Sequence, residues 1–286
     1  MESKFFLNKK TIEAILKKEN KTIMVVGDSD TGKTTLIEEI LRLLVKRFII
    51  GVVDVDIGQS HIGPPTTIAW GLVKEKFIDW ESIPLKDMYF VGTTSPYANL
   101  LPTLTGAKFI YDIAKEKVDK VIIDTTGMVK GGAGRVLKIC MMDIIHPKII
   151  LALEREKELE HILVSFKKMN FPEIFKIPLS DLVNLKSWAE RRDYRKRKFR
   201  DYFKEAKVLT LSLNKVGLRY GNLKENLESF LVSLRSKEGK DLALGIVEKV
   251  QEEEKKISIF TPLKKEEDIG CIIFGNIRIN LEGEEL

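Results

Sequence analysis

Residues 27–34 read Gly-Asp-Ser-Asp-Thr-Gly-Lys-Thr and fill every defined position of G-x-x-x-x-G-K-[ST]. An apolar stretch at 22–26 precedes them and an amphipathic stretch follows from Thr34, which is the context this motif requires. The glycines let successive backbone N–H groups curl around a polyphosphate where a side chain would intrude. The helix that follows turns its N-terminus, with its partial positive charge, to the same place. This Walker A pattern demands a strand, a tight loop and a helix, in that order. It makes Gly27, Asp28, Ser29, Asp30, Thr31, Gly32, Lys33, Thr34 and Thr35 the expected nucleotide cradle. Lys33 is expected to reach the β- and γ-phosphates of ATP, and the Thr34 hydroxyl to ligate Mg²⁺.

The rest of the chain supports that architecture. Apolar, β-branched runs at 22–26, 49–54, 88–92, 120–124, 148–153 and 207–211 read as strands. Several are apolar throughout, as suits parallel strands covered on both faces. Helical spacing appears at 10–19, 34–46, 104–116, 135–145 and 156–168. The alternation predicts an α/β domain of P-loop NTPase type, with a mostly parallel sheet flanked by helices. After about residue 205 the texture becomes β-rich, with a hairpin of 231–236 and 241–250 turned at Gly239 and further strands at 257–261 and 269–280. The expected division is 1–205 for the P-loop domain and 206–286 for a small β-rich C-terminal domain, with 207–211 assignable to either sheet.

Composition narrows the function classes. With 44% hydrophobic residues the chain can bury a sizeable core, and its net charge of +6 suits a phosphate-rich partner. Cys140 and Cys271 lie far apart, and His61, His146 and His161 form no cluster, so neither a disulfide framework nor a zinc site is expected. The start lacks a signal-peptide core and no apolar run approaches the ~20 residues of a membrane span, so a cytoplasmic protein with no membrane partner is expected.

Asp54-Val55-Asp56-Ile57-Gly58-Gln59-Ser60 closes the second strand at the sheet edge where α/β proteins bind ligands. One carboxylate there can hold Mg²⁺ and a second can take a proton from an attacking hydroxyl, with Gln59 orienting the nucleophile. The same residues also suit a turn in which Asp caps the backbone. In the basic stretch 186–204, Arg191 and Arg195 are four apart and share a helix face. That spacing describes a solvated basic face as readily as a pair of guanidiniums closing on a phosphoryl group.

In motif content and order the chain resembles the 5′-hydroxyl polynucleotide kinases of RNA processing, in a short archaeal-like form. The segments that carry the resemblance are the cradle, Asp-x-Asp-x-Gly-Gln-Ser, the clasp-like Thr125-Thr126-Gly127-Met128-Val129-Lys130-Gly131-Gly132 and the lid-like Arg191-Arg192-Asp193-Tyr194-Arg195. Two departures stand out: only about twenty residues precede the first strand, and Met128 stands where eukaryotic members carry Trp. The resemblance implies transfer of the ATP γ-phosphate to the 5′-OH of a polynucleotide, with RNA favoured over DNA. It assigns Lys33, Asp54, Gln59, Arg191 and Arg195 to catalysis and Thr34 and Asp54 to Mg²⁺, with Asp54 also drawing the proton. Asp56, Gln59, Thr125, Gly127 and Met128 are assigned to the acceptor. Two rivals remain at this level. Asp124-Thr125-Thr126-Gly127 also fits the D-x-x-G of a regulatory GTPase or ATPase, although no guanine-reading N-K-x-D follows. A non-catalytic, ATP-bound assembly subunit of RNA processing has the same residues to offer. Protein partners are unknown from sequence.

Overall fold

In the computed structural model, residues 7–179, 185–222, 226–266 and 268–286 are described; most of the chain start weighed above as a leader, residues 1–6, lies outside them. The chain opens with helix α1 (Lys9–Leu16), strand β1 (Thr22–Gly27) and helix α2 (Lys33–Leu44). Next come β2 (Ile50–Asp54), β3 (Thr67–Val73), β4 (Leu85–Phe90), α3 (Leu100–Lys115) and β5 (Lys120–Asp124). Then follow α4 (Gly131–Ile145), β6 (Ile149–Glu154), α5 (Glu160–Leu163), β7 (Glu173–Pro178) and α6 (Trp188–Phe203). The seven strands lie in the order β4-β3-β2-β5-β1-β6-β7. From β2 to β7 all neighbours are parallel, and β3 and β4 add an antiparallel edge.

Every residue of β1, β2, β5 and β6 is buried, because helices cover both faces. Alternate residues serve opposite cores. Ile23 and Val25 pack with α1, α2 and Phe199 and Phe203 of α6, while Met24 and Val26 pack with α3, α4 and α5. The strand ends carrying the functional loops are therefore held in register from both sides.

Two strands of this sheet escaped the sequence reading, as did a short strand at Gly217–Arg219 in the C-terminal residues. β3 follows Pro64 and Pro65, which suggest a loop, and β7 is bracketed by Pro172 and Pro178. Both sit outside the central parallel strands, where proline costs less. Helix boundaries also shift: α1 stops at Leu16 because Lys17 is extended, α3 starts four residues earlier than expected, and the 156–168 pattern resolves into α5 and a short 3₁₀ turn at Val164–Phe166.

The C-terminal residues build a second sheet from β8 (Lys207–Ser212), β9 (Gly217–Arg219), β10 (Phe230–Ser236), β11 (Asp241–Gln251), β12 (Lys256–Thr261) and β13 (Ile269–Arg278). Their order is β8-β12-β11-β10-β13-β9, so the strand at 207–212 joins this sheet and not the first. The two sheets meet through hydrogen bonds to the end of β4. Asn276 N donates to Gly92 O at 2.7 Å, and Phe90 N to Asp241 Oδ2 at 2.8 Å. A Cβ at Gly92, whose φ is +82°, would come within 2.8 Å of Gly275 Cα, so both positions need glycine for this approach. Leu231, Leu244, Ile246 and Ile273 complete the core beneath α6.

Candidate active site

Gly32 caps α2 in the left-handed conformation, with φ +82° and no side chain bonded to the helix amides. The first-turn N–H groups of α2 are thus free of any side-chain cap and point into the loop. Gly27 is compelled: a Cβ there would lie 2.5 Å from Thr31 Oγ1 and 3.0 Å from Leu153 O. Lys33 is 8% exposed and folds back over the loop, its Nζ donating to Asp28 O at 2.8 Å and Gly27 O at 3.2 Å. These are the contacts a polyphosphate would replace. Thr34 and Thr35 are half-buried at the start of the helix.

At the ends of β2 and β5, Asp54 and Asp124 are register partners, and both are buried. Asp54 Oδ2 accepts from His61 N at 2.6 Å, Ile62 N at 3.0 Å and Ser60 Oγ at 3.3 Å, and Oδ1 accepts from Asp56 N at 3.0 Å. Burial pushes the Asp54 carboxyl up to about 6 against these amide donors, and the Asp56 charge adds to the rise. Asp124 is raised well above the usual carboxylate range, first by burial and then by the charge of Asp54. Its Oδ1 is buried without a hydrogen-bond partner. Two adjacent carboxylates with an unsatisfied oxygen are the donor set a hard divalent cation completes. Among the described residues no group of three or more His, Cys, Asp or Glu forms a metal cage. The Thr34 hydroxyl and phosphate oxygens would supply the remaining ligands.

Asp56 makes the turn that the sequence also allowed, its Oδ1 accepting from Gly58 N at 3.1 Å and Gln59 N at 3.0 Å. Its side chain nevertheless lines a pocket of about 240 Å³ together with Ser29, Gln59, Thr94, Thr126, Gly127, Met128, Arg191 and Arg195. Gln59 Nε2 donates to Arg191 O at 3.3 Å, while its buried Oε1 has no partner. A Cβ on Gly58 would lie 2.6 Å from Thr94 O, so this loop rests directly on the 93–96 loop.

The clasp divides by role. The Thr125 hydroxyl is buried and donates to Val25 O at 2.8 Å, tying the exit of β5 to β1, so Thr125 does not line the pocket as the resemblance implied. Thr126, Gly127 and Met128 do. Gly127 presses on the cradle, where a Cβ would meet Ser29 N at 2.6 Å. Gly131, Gly132 and Gly134 belong to α4 and not to a loop, and nothing lies within 4 Å of a Cβ at Gly132. The buried Lys138 of α4 donates to Thr126 O at 2.6 Å, and burial lowers its amine to about 7.

A capping box at Ser187 and Glu190 starts α6. Arg191 pairs with Asp30 of the cradle and Arg195 with Glu285 of the C-terminal segment, so neither guanidinium is free in this state. The helix also rests on the acidic loop: Tyr194 OH donates to Ser60 O at 2.8 Å, and Lys198 Nζ to His61 O at 3.0 Å. Cradle, acidic loop, clasp and lid therefore meet at one place. The sequence reading singled out neither Asp124 as a neighbour of Asp54 nor Thr94 as a wall of the pocket. The first carried a signal, an aspartate ending a strand, whereas the second needed the sheet order. On the other side of the cradle a second pocket of about 590 Å³ is lined by Asp28, Thr31, Lys130, Arg155, Lys157 and Leu185, among others.

The profile of the family described as mRNA cleavage and polyadenylation factor CLP1 P-loop matches residues 27–205. A polyribonucleotide 5′-hydroxyl-kinase of Pyrococcus furiosus is 32% identical, across 95% of this chain and 91% of its own length. One from Methanocaldococcus jannaschii is 29% identical, across 92% and 88%. The similarity to the Danio rerio polyribonucleotide 5′-hydroxyl-kinase Clp1 is 28%, across 63% of this chain and 43% of that protein. Among solved structures, wild-type Clp1p in complex with Pcf11p residues 454–563 superposes with a TM-score of 0.74, across 93% of this chain and 76% of that one, at 13% identity, a likeness of fold.

Proposed function

The chain belongs to the mRNA cleavage and polyadenylation factor CLP1 P-loop family, and from that premise we propose that it is a kinase transferring the γ-phosphate of ATP to the 5′-hydroxyl of a polynucleotide, with RNA the favoured acceptor. One observation carries this reading beyond membership. The pocket formed by Asp56, Gln59 and Met128 shares Ser29 with the phosphate cradle and is walled by two arginines, so an acceptor end in it would lie beside the γ-phosphate position. Such a second, polar pocket suits a transferase better than a nucleotide switch, whose acceptor is only water.

The proposed roles follow from the contacts. Cradle amides and Lys33 hold the phosphates, and the pocket lined by Arg155 and Leu185 takes the nucleoside. Thr34, Asp54 and Asp124 would hold Mg²⁺, which when bound neutralises phosphate charge. Asp54 was the expected proton acceptor, but its oxygens are held by four donors and it does not line the acceptor pocket. We assign that step to Asp56: the 5′-OH proton passes to its carboxylate as the hydroxyl oxygen attacks phosphorus and ADP leaves. Gln59 orients the hydroxyl with its unpartnered Oε1. Arg191 and Arg195 exchange Asp30 and Glu285 for the transferring phosphoryl group, which makes the ion pairs a resting arrangement of the lid. The test uses γ-labelled ATP and Mg²⁺ with 5′-OH and 5′-phosphate forms of one RNA. Label on the 5′-OH strand alone supports the reading; label on neither, with ATP bound, refutes it.

A further inference from the structure

Beyond the 93–96 loop from the acceptor pocket, a second opening of about 380 Å³ follows the seam between the two sheets. Its walls are the edge strand β4, the start of α3, β9, β10 and β13. The seam is bridged by two hydrogen bonds, Asn276 N to Gly92 O and Phe90 N to Asp241 Oδ2. A single stretch of chain separates the two openings. Thr94, Ser95 and Pro96 line the acceptor pocket, Asn99 and Leu101 line the seam, and Tyr97 lies between them in sequence, 72% exposed.

The chemistry of the seam differs from that of the core beside it. Two arginines and no carboxylate line it. Arg235 is held by Asp241 through two hydrogen bonds of 2.8 Å, whereas Arg219 has no carboxylate partner among the described residues. Tyr220 follows at φ +64° and is 88% exposed, directly after the strand pairing that fixes Arg219 opposite Ile273. A guanidinium with no carboxylate partner among the described residues, next to the exposed ring of Tyr220, offers charge to a phosphate and a flat face to a base, as single-stranded nucleic acid requires.

We propose that this seam carries the nucleotides that follow the 5′ end of the acceptor, so that the C-terminal sheet is the kinase's binding surface for single-stranded RNA. The inference rests on the kinase reading above. The strand leaves the acceptor pocket over Tyr97 and enters the seam, with Arg219 on a phosphate and Tyr220 against a base. The 5′-OH pocket positions the reacting atom, and the seam supplies affinity.

Steady-state phosphorylation of a 5′-OH dinucleotide and a 5′-OH octanucleotide of RNA tests this, with Arg219→Glu, Arg219→Gln and Tyr220→Ala alongside the unaltered protein. Both positions are exposed, and unchanged thermal melting establishes that the variants fold. The unaltered protein is expected to show a KM for the octamer well below that for the dinucleotide. Each variant is expected to raise the octamer KM roughly tenfold, the scale of one lost stacking or phosphate contact. The KM for the dinucleotide, the KM for ATP and kcat stay unchanged. A KM independent of acceptor length, or an octamer KM untouched in all three variants, overturns the inference and leaves the kinase reading standing. Failure to label either acceptor overturns the kinase reading, and this inference with it.

Discussion

Replacing Gly127 by alanine tests the contact that joins cradle and clasp. The new Cβ would lie 2.3 Å from Ser29 Oγ, 2.6 Å from Ser29 N and 2.7 Å from Ser29 Cα, whereas ordinary contact begins at 3.4 Å. A hydroxyl can rotate away, but the Ser29 backbone cannot, so clasp and cradle must separate by about 0.8 Å. Overpacking of this kind costs ~1–3 kcal/mol. In a chain of this size that lowers Tm by roughly 2–4 °C per kcal/mol. The effect on catalysis is larger, since displacing reacting groups by about 1 Å can cost ~10²-fold in rate. Steady-state phosphorylation of a 5′-OH RNA is expected to show kcat down by about 10- to 100-fold, with a smaller change in the KM for ATP. Gly132→Ala is the control: it has open space around its Cβ and lies in a helix, where alanine gains up to ~1 kcal/mol over glycine. Wild-type kcat and Tm in Gly127→Ala would refute the claim that Ser29 and Gly127 hold donor and acceptor together.

Asp56→Asn is expected to lower kcat by ~10²–10⁴-fold with little change in ATP affinity, measured by single-turnover labelling and by titration with a fluorescent nucleotide. Near-normal turnover would return the proton to Asp54. Arg191→Gln and Arg195→Gln should each depress kcat by ~10³-fold or more, whereas breaking the resting pair with Glu285→Gln should leave kcat intact or raise it. Stability should respond to pH through Asp54, whose carboxyl lies at about 6 in the folded chain against 3.8 for an unperturbed one. The folded chain binds the extra proton, so without divalent cations stability falls as pH rises from about 4 to 6, by ~3 kcal/mol at most. Thermal melts should show that fall, and Mg²⁺ should raise Tm more at pH 7 than at pH 5. Lys138 acts in the opposite sense: its buried amine lies at about 7 against 10.5 when free, so stability climbs from about pH 7 towards 10, and Lys138→Met should flatten that slope.

The cradle was legible because its chemistry is local. Two glycines, a lysine and a threonine at fixed spacing can do little else after a buried strand; Gly27 sits where a Cβ has no room and Gly32 is left-handed, as that reading requires. The central strands were legible for a similar reason, since uniformly apolar runs such as Val121–Ile123 suit only a doubly covered sheet. What depends on distant partners was not legible. Thr125 and Met128 are three residues apart in one motif, yet one bonds to Val25 O of the neighbouring strand β1 and the other faces the pocket. The spacing of Arg191 and Arg195 predicted a shared face and said nothing of Asp30 and Glu285, which lie more than 80 residues away in sequence. Asp54 and Asp56 alternate along an extended chain end, and only the loop at 60–62 decides which of them turns inward.

The most direct measurement follows the phosphate itself. The protein is incubated with γ-labelled ATP, Mg²⁺ and a 5′-OH RNA, the RNA is digested to nucleotides, and the position of the label is read. The account predicts that all label incorporated lies on the 5′-terminal nucleotide and that Lys33→Ala abolishes it. Label released only as inorganic phosphate, with the RNA unmodified, would contradict the account and make this chain a nucleotide hydrolase or switch.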